Sequence, residues 1–311
     1  MTFAAVFPGQ GSQSVGMLGA LAAAHPEVQQ TFTEASEALG FDLWALTQQG
    51  PEERLNATQQ TQPALLAAGV AAWRVWKAAG GVDPSAMAGH SLGEYTALVC
   101  AGALDFKPAV KLVEFRGQAM QEAVPAGQGA MAAIIGLDDA AVRDACAEAA
   151  QGEVVEAVNF NAPGQVVIAG NAAAVQRAGE LCKAKGAKRA LPLPVSAPSH
   201  CALMKPAAER LAQKLAMLEI HVPRIPVIHN VDVNVHAKPD EIRAVLKAQL
   251  HSPVRWVETV QKLARDGAVK QVEFGPGKVL AGLAKRIDKS VETHPVLDPD
   301  SLNAALAAVG A

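Results

Sequence analysis

Pro84-Ser85-Ala86-Met87-Ala88-Gly89-His90-Ser91-Leu92-Gly93-Glu94-Tyr95 decides how the rest of the chain is read. Residues 84–88 form a short apolar strand candidate, Gly89 to Gly93 match G-x-S-x-G, and a helical pattern runs on to about Ala103. A serine between two glycines at a strand-to-helix turn has its hydroxyl pushed clear of a sheet, with a helix N-terminus beside it. Upstream, Thr2 to Phe7 is a second strand candidate, ending at Pro8-Gly9-Gln10-Gly11-Ser12. Helical periodicity follows through the twenties and thirties, from Ala64 to Ala79, and from Pro108 to Val124. Strands alternating with helices imply a parallel sheet with helices on both faces.

From Gly129 the pattern changes. Met131–Leu137 reads as strand, Asp138–Ala150 as helix, Val154–Phe160 and Gln165–Ala169 as strands, Ala172–Lys185 as helix and Arg189–Val195 as strand. The order β-α-β-β-α-β is ferredoxin-like. The expected fold is therefore α/β: an α/β-hydrolase-like core with a parallel sheet plus an inserted ferredoxin-like (βαββαβ) subdomain. Residues 1–127 and 196–311 make the large domain and residues 128–195 the small subdomain. After His200 the chain is expected to return to helix, then to a strand over Ile225–Val231, a helix over Arg243–Leu250 and a strand over Val269–Phe274. Gly275-Pro276-Gly277 then turns into a final helix.

Composition narrows the function. The chain has 311 residues, 50% of them hydrophobic, and a net charge of −3, which excludes disorder as its main state and gives no general electrostatic case for nucleic acid. The longest apolar stretches, such as Pro63 to Trp73, stop short of a membrane span. No Lys or Arg precedes Arg54, which argues against a positively charged leader and for a cytoplasmic protein. Cys100, Cys146, Cys182 and Cys201 lie 46, 36 and 19 residues apart, a spacing that suggests neither zinc nor a disulfide framework. In Gly9-Gln10-Gly11-Ser12-Gln13-Ser14-Val15-Gly16 the third glycine is misplaced for a dinucleotide loop, so a backbone-donor loop near Ser91 is expected instead.

A serine nucleophile needs a base. His90 is expected to point away from Ser91, and His200 is the better candidate: Pro192, Pro194 and Pro198 stiffen its approach, and Ser199-His200 reads as the opening of a helix. No acid completes a triad, because Asp105, Asp138, Asp139 and Asp144 lie at helix starts or in the inserted unit. A hydrolase reading is weakened accordingly. Arg116 stands in an apolar helical stripe of Leu112, Val113, Ala119 and Met120, so it should face the interior and meet a carboxylate of the protein or of a ligand.

Phe7-Pro8-Gly9-Gln10-Gly11-Ser12-Gln13, Thr61-Gln62-Pro63-Ala64-Leu65, Gly89-His90-Ser91-Leu92-Gly93-Glu94-Tyr95 and Ala197-Pro198-Ser199-His200 occur in that order, and Glu273-Phe274-Gly275-Pro276-Gly277 closes the set. With Arg116 falling 25 residues after Ser91, the chain resembles, from end to end, the acyltransferase family of the bacterial malonyl-CoA:acyl carrier protein transacylases. The resemblance implies that Ser91 takes a malonyl group from coenzyme A as an ester and passes it to the phosphopantetheine thiol of an acyl carrier protein. It implies His200 as general base and acid, the backbone carbonyl of Gln249 in place of a triad acid, and the backbone N–H groups of Gln10 and Leu92 as oxyanion hole. It implies Arg116, Gln62, Met120 and Asn161 as the substrate-binding set, with Arg116 gripping the malonyl carboxylate. No metal and no tightly bound cofactor are implied; the coenzyme A thioester is a substrate.

The family's carrier protein is acidic and binds transiently. Basic residues cluster at Lys183, Lys185, Lys188 and Arg189 and at Lys278, Lys285, Arg286 and Lys289, of which Arg189, Lys285 and Arg286 are expected at the entrance. Two departures stand out: Ser199 where many relatives carry Phe, and His229-Asn230 in place of Asn-Asn, with no role given to His229. The competing readings are a related acyltransferase (a malonate-decarboxylase subunit or a polyketide loading unit), a serine thioesterase or esterase, and a non-catalytic carrier-docking module.

Overall fold

The structure, a computed structural model, describes residues 2–195 and 197–310. Five strands form a fully parallel sheet in the order β7-β2-β1-β8-β9: β1 (Phe3–Phe7), β2 (Ala86–Gly89), β7 (Val227–Ile228), β8 (Lys270–Phe274) and β9 (Glu292–Val296). All five residues of β1 are fully buried, as a strand covered on both faces must be. Its side chains alternate between two cores. Phe3, Ala5 and Phe7 face the helices Thr58–Ala78, Leu92–Cys100 and Phe106–Ala123, where Phe274 stacks on Phe7 and meets Trp76 edge-on. Ala4 and Val6 face the opposite layer, with Trp256 and Val260 of the helix Trp256–Arg265 and Leu280 of the helix Val279–Ile287.

The second sheet has four antiparallel strands in the order β4-β5-β3-β6: β3 (Gly129–Ile135), β4 (Val155–Ala162), β5 (Gln165–Asn171) and β6 (Arg189–Pro192). The helices Asp139–Ala150 and Ala172–Ala184 cross over it and complete the ferredoxin-like order read from the sequence. Ile134, Val142, Cys146, Ile168, Ala178 and Cys182 give this unit its own core, and the cysteines are free packing residues within it. The small sheet is tied by the backbone to the segment that leads into the helix Trp256–Arg265: Phe160 N–H donates to the Val254 carbonyl, and Val254 N–H to the Val158 carbonyl. Ser196, where the sequence reading places the return to the large domain, lies outside the described residues.

Three expectations need correction. The strand over Ile225–Val231 shrinks to Val227–Ile228, because His229 and Asn230 turn out of the ladder to bond Glu94 and the chain folds back through Val233 N–H to the His229 carbonyl. Ser199-His200 does not open a helix: His200 sits in a turn at φ 67°, and the α-helix begins at Lys205 after a short 3₁₀ turn. The helix after Gly277 is not the last, since β9 and the helix Pro299–Val309 follow; Pro295 hides β9 in the sequence, and it is tolerated because β9 is an edge strand. The helix Trp256–Arg265 was not anticipated. Among the described residues no helix is long and apolar enough to cross a membrane.

The two glycines of the Ser91 turn hold sheet and helix together by having no side chain. A Cβ on Gly89 would lie 1.8 Å from the Gly93 carbonyl carbon, and one on Gly93 would lie 2.1 Å from the Phe7 carbonyl oxygen. Both obstacles are backbone, so neither can swing aside. Gly93→Ala should therefore destabilise the protein by about 1–3 kcal/mol, as overpacking typically does, read as a lower denaturant midpoint at unchanged slope. An unshifted midpoint would show that strand and helix are not in contact there.

Candidate active site

Parallel strands deliver loops to their carboxyl ends, and the neighbouring strands β1 and β2 deliver Gln10 and Ser91. Ser91 takes φ 51°, ψ −108°, a conformation that costs a non-glycine residue roughly 1–3 kcal/mol and must be held by its surroundings. Asn230 holds it. Its Oδ1 accepts from Ser91 N–H at 2.8 Å, and its Nδ2 donates to the Gly89 carbonyl at 2.7 Å. Leu92 is the first residue of the helix that follows, so its N–H belongs to the open end of that helix.

Ser91 Oγ lies 2.7 Å from His200 Nε2, although 109 residues separate them. On the other side of the ring, Nδ1 lies 2.7 Å from the Gln249 backbone carbonyl. A carbonyl can only accept, so Nδ1 carries the hydrogen and Nε2 presents its lone pair to the Ser91 hydroxyl. The next carbonyl, that of Leu250, accepts the His200 backbone N–H at 2.9 Å, so the C-terminus of the helix Pro239–Gln249 grips both ring and backbone. Burial, and then the nearby positive charge of Arg116, push the His200 pKa down to about 3 against the raising effect of the Gln249 carbonyl. The imidazole is therefore a neutral base.

Arg116 projects inward from the helix Phe106–Ala123 with no exposed surface, as its apolar stripe implies. Nη1 donates to Gln62 Oε1 at 2.7 Å, and Nη2 donates to Gln249 Oε1 at 3.1 Å and to Ser91 Oγ at 3.3 Å. The guanidinium lies 5.3 Å from the centre of the Tyr95 ring, and its buried Nε has no hydrogen-bond partner. Gln62 in turn reaches Met120 Sδ at 3.6 Å. No carboxylate among the described residues pairs with Arg116.

The hydroxyl opens into a cavity of about 170 Å³ between the two sheets, walled by Gln10, Thr58 and His200 on one side and by Met131, Asn159 and Asn161 on the other. His90 also lines it, but its Nε2 meets Asn161 Oδ1 at 2.8 Å instead of Ser91, as expected of its place on the turn. Burial lowers the pKa of His90. Arg189, Lys285 and Arg286 are exposed and do not line the cavity. The structure nevertheless brings Arg189 and Arg286 to one end of the small sheet: Arg189 and Gln165 both pair with Ile135, and Arg286 donates to Gln165, at the hairpin next to Asn161. Lys285 precedes Arg286 on the helix Val279–Ile287. Glu273, the first residue of the last quoted motif, caps the helix Val279–Ile287 through the N–H groups of Leu280 and Ala281 and stays out of the site.

Glu94, Asn230 and the Gln249 side chain were missed by the sequence reading. Glu94 is the single charged residue of the helix Leu92–Cys100 and is fully buried, so the stripe argument that singled out Arg116 applies to it equally.

The sequence pattern of the family described as acyl transferase domain matches residues 4–298. The chain is 62% identical over 98% of its length to the malonyl CoA-acyl carrier protein transacylase of Escherichia coli K12, of which it covers 98%. It is 46% identical to that of Bacillus subtilis, over 97% of this chain and 95% of that one. Its fold is similar (TM-score 0.98, 61% identity, 99% of this chain and 100% of that one) to a malonyl-transacylase solved in complex with its type II PKS acyl-carrier protein. It is likewise similar (TM-score 0.96, 64% identity, 98% and 99% covered) to the acyl carrier protein S-malonyltransferase of Vibrio cholerae.

A base whose pKa is lowered keeps its neutral, competent form to lower pH than free imidazole would. The rate at which a sulfonyl fluoride labels Ser91, followed by intact mass, should stay level from about pH 8 to about pH 5. A fall to half the rate near the ordinary histidine value would show that His200 is not held neutral.

Proposed function

Because the chain belongs to the acyl transferase domain family, we propose that it moves the malonyl group of malonyl-CoA to the phosphopantetheine thiol of an acyl carrier protein, in the cytoplasm, as a supply step for fatty-acid synthesis. The observation that carries the reading is Arg116, a fully buried cation beside the Ser91 hydroxyl whose partners are all neutral. A malonyl thioester differs from an acetyl thioester by one carboxylate, and a planar guanidinium can grip both of its oxygens.

In the first half-reaction Ser91 Oγ attacks the thioester carbonyl as its proton passes to His200 Nε2. The tetrahedral oxyanion is met by the N–H groups of Gln10 and Leu92. Collapse breaks the C–S bond, and His200, now protonated and steadied by the Gln249 carbonyl, returns the proton to the departing coenzyme A thiolate. In the second half-reaction the same base takes the proton of the carrier's thiol, which attacks the Ser91 ester and releases the hydroxyl. Gln62, Met120 and Asn161 complete the acyl pocket. Residues 1–127 and 196–311 supply the nucleophile and base, and the small subdomain, residues 128–195, supplies the second wall. The coenzyme A thioester is consumed as a substrate, and the mechanism calls on no metal and no bound cofactor.

Incubation with radiolabelled malonyl-CoA should place a serine-linked label on the enzyme that chases onto carrier protein, and Ser91→Ala should take up none. Arg116→Ala should lower kcat/KM for malonyl-CoA by about a hundredfold or more, while acetyl-CoA loses little, since removing one partner of a desolvated charge pair costs roughly 2–5 kcal/mol. Equal losses for both donors would make Arg116 a structural residue, and label released to water instead of to carrier would favour a thioesterase.

The acidic carrier requires a basic landing area on a chain with 27 basic and 30 acidic residues. Arg189 and Arg286, which meet at one end of the small sheet, and Lys285 beside Arg286 on its helix offer it. Reversing these charges should raise KM for carrier protein and flatten its dependence on salt, with KM for malonyl-CoA little changed. An unchanged carrier KM would place the docking surface elsewhere.

A further inference from the structure

Behind the Ser91 turn lies a second buried polar layer that the proposed reaction steps do not use. Glu94 is fully buried, and three donors converge on its two oxygens. Oε2 accepts from the Gln249 side-chain Nε2 at 2.9 Å and from the Asn230 N–H at 2.9 Å, and Oε1 meets His229 Nδ1 at 2.8 Å. His229 is also fully buried. Gln249 Nε2 donates a second time, to the Ser91 carbonyl at 3.1 Å, while Gln249 Oε1 accepts from Arg116 Nη2 at 3.1 Å.

That pattern fixes which way the Gln249 carboxamide points. Its nitrogen faces two acceptors and its oxygen faces a guanidinium. Rotating it by half a turn would set an oxygen against the Glu94 carboxylate and the Ser91 carbonyl, and an NH₂ group against Arg116. Of the two acceptors Glu94 is the strong one, because a hydrogen bond to an ionised group is about twice as strong as a neutral one. A direct Glu94–Arg116 pair would occupy the fork that a substrate carboxylate needs. With one amide between them, the carboxylate steadies the cation and leaves it unpaired.

We infer that Glu94 is a positioning residue for donor selection: it sets the orientation of the Gln249 carboxamide, and through it holds Arg116 aimed at Ser91 without occupying its fork. His229 and Asn230 fix Glu94 in turn, which gives the His229-Asn230 dipeptide a task. The inference rests on the malonyl-transfer reading above and deepens it.

Glu94→Gln keeps the shape but offers one acceptor oxygen to three donors, so the layer cannot remain satisfied. With wild type first shown to transfer malonyl to carrier protein, Glu94→Gln should lose about tenfold or more in kcat/KM for malonyl-CoA, the loss expected of a hydrogen bond to a charged group. Acylation by acetyl-CoA should fall by less than about threefold, because that donor does not use Arg116. Gln249→Met, which removes the carboxamide and keeps the backbone carbonyl under His200, should lower kcat/KM for malonyl-CoA by at least about tenfold more than for acetyl-CoA, since any loss that comes through His200 or Ser91 falls on both donors alike. The double variant should lose no more than Gln249→Met alone, since residues acting in series are not additive. Equal losses for both donors, or additive losses in the double variant, would overturn the inference while leaving malonyl transfer standing. A wild-type protein that transfers no malonyl would overturn both. Should Glu94→Gln not unfold cooperatively, the donor split of Gln249→Met decides by itself: a malonyl-selective loss supports the inference and an equal loss ends it.

Discussion

A guanidinium with no exposed surface lies 3.3 Å from the Ser91 hydroxyl, and its hydrogen-bond partners are two carboxamides and that hydroxyl. A cation taken out of water costs several kcal/mol unless something answers its charge, and neutral dipoles answer it only in part. The site is built around that imbalance. Gln62 and Gln249 turn their oxygens to Arg116, the face of Tyr95 lies beside it, and the nearest acidic group behind Gln249 is the buried Glu94. The same charge acts on His200. Together with burial it depresses the imidazole pKa, so the ring stays neutral at ordinary pH. In the malonyl transfer proposed above, an incoming carboxylate would answer the cation and turn the cost of burying it into affinity for one class of donor.

The fold makes such a cluster affordable by fixing its members from distant parts of the chain. β1 and β2 are adjacent parallel strands, so their carboxyl ends place Gln10 and Ser91 side by side. The close approach of Gly89, Gly93 and the Phe7 carbonyl brings the helix Leu92–Cys100 down onto the sheet, which leaves the Ser91 backbone at positive φ and carries Glu94 inward. His200 arrives in a turn whose geometry is dictated by the Gln249 and Leu250 carbonyls. The small sheet then closes one side of the cavity, and the His90–Asn161 hydrogen bond ties it to the nucleophile turn.

Much of this was legible in the sequence where the signal is local. G-x-S-x-G between strand and helix, the βαββαβ order after Gly129, and one arginine in an apolar stripe each depend on spacing alone. The missing triad acid was also legible as an absence; what the structure sets against His200 Nδ1 is the Gln249 backbone carbonyl, which no residue type advertises. What stayed out of sight depends on tertiary approach. Glu94 meets Gln249 across 155 residues and Asn230 across 136. His229 reads as an apolar strand neighbour until the chain is seen to turn out of the ladder toward Glu94. Pro295 disguised an edge strand for a similar reason: whether a missing N–H matters depends on which side of the sheet it faces, and that is a property of topology.

The central claim is that His200 in the free protein is a neutral imidazole with its hydrogen on Nδ1, held so by burial and by the charge of Arg116. Nitrogen NMR of the protein labelled at its histidine rings reads this directly, with the His200 signals assigned by their loss in His200→Gln. At about pH 6, where a free imidazole is largely protonated, the account predicts one protonated nitrogen, coupled to a hydrogen that exchanges slowly, and one bare nitrogen. Hydrogens on both ring nitrogens at that pH would contradict it.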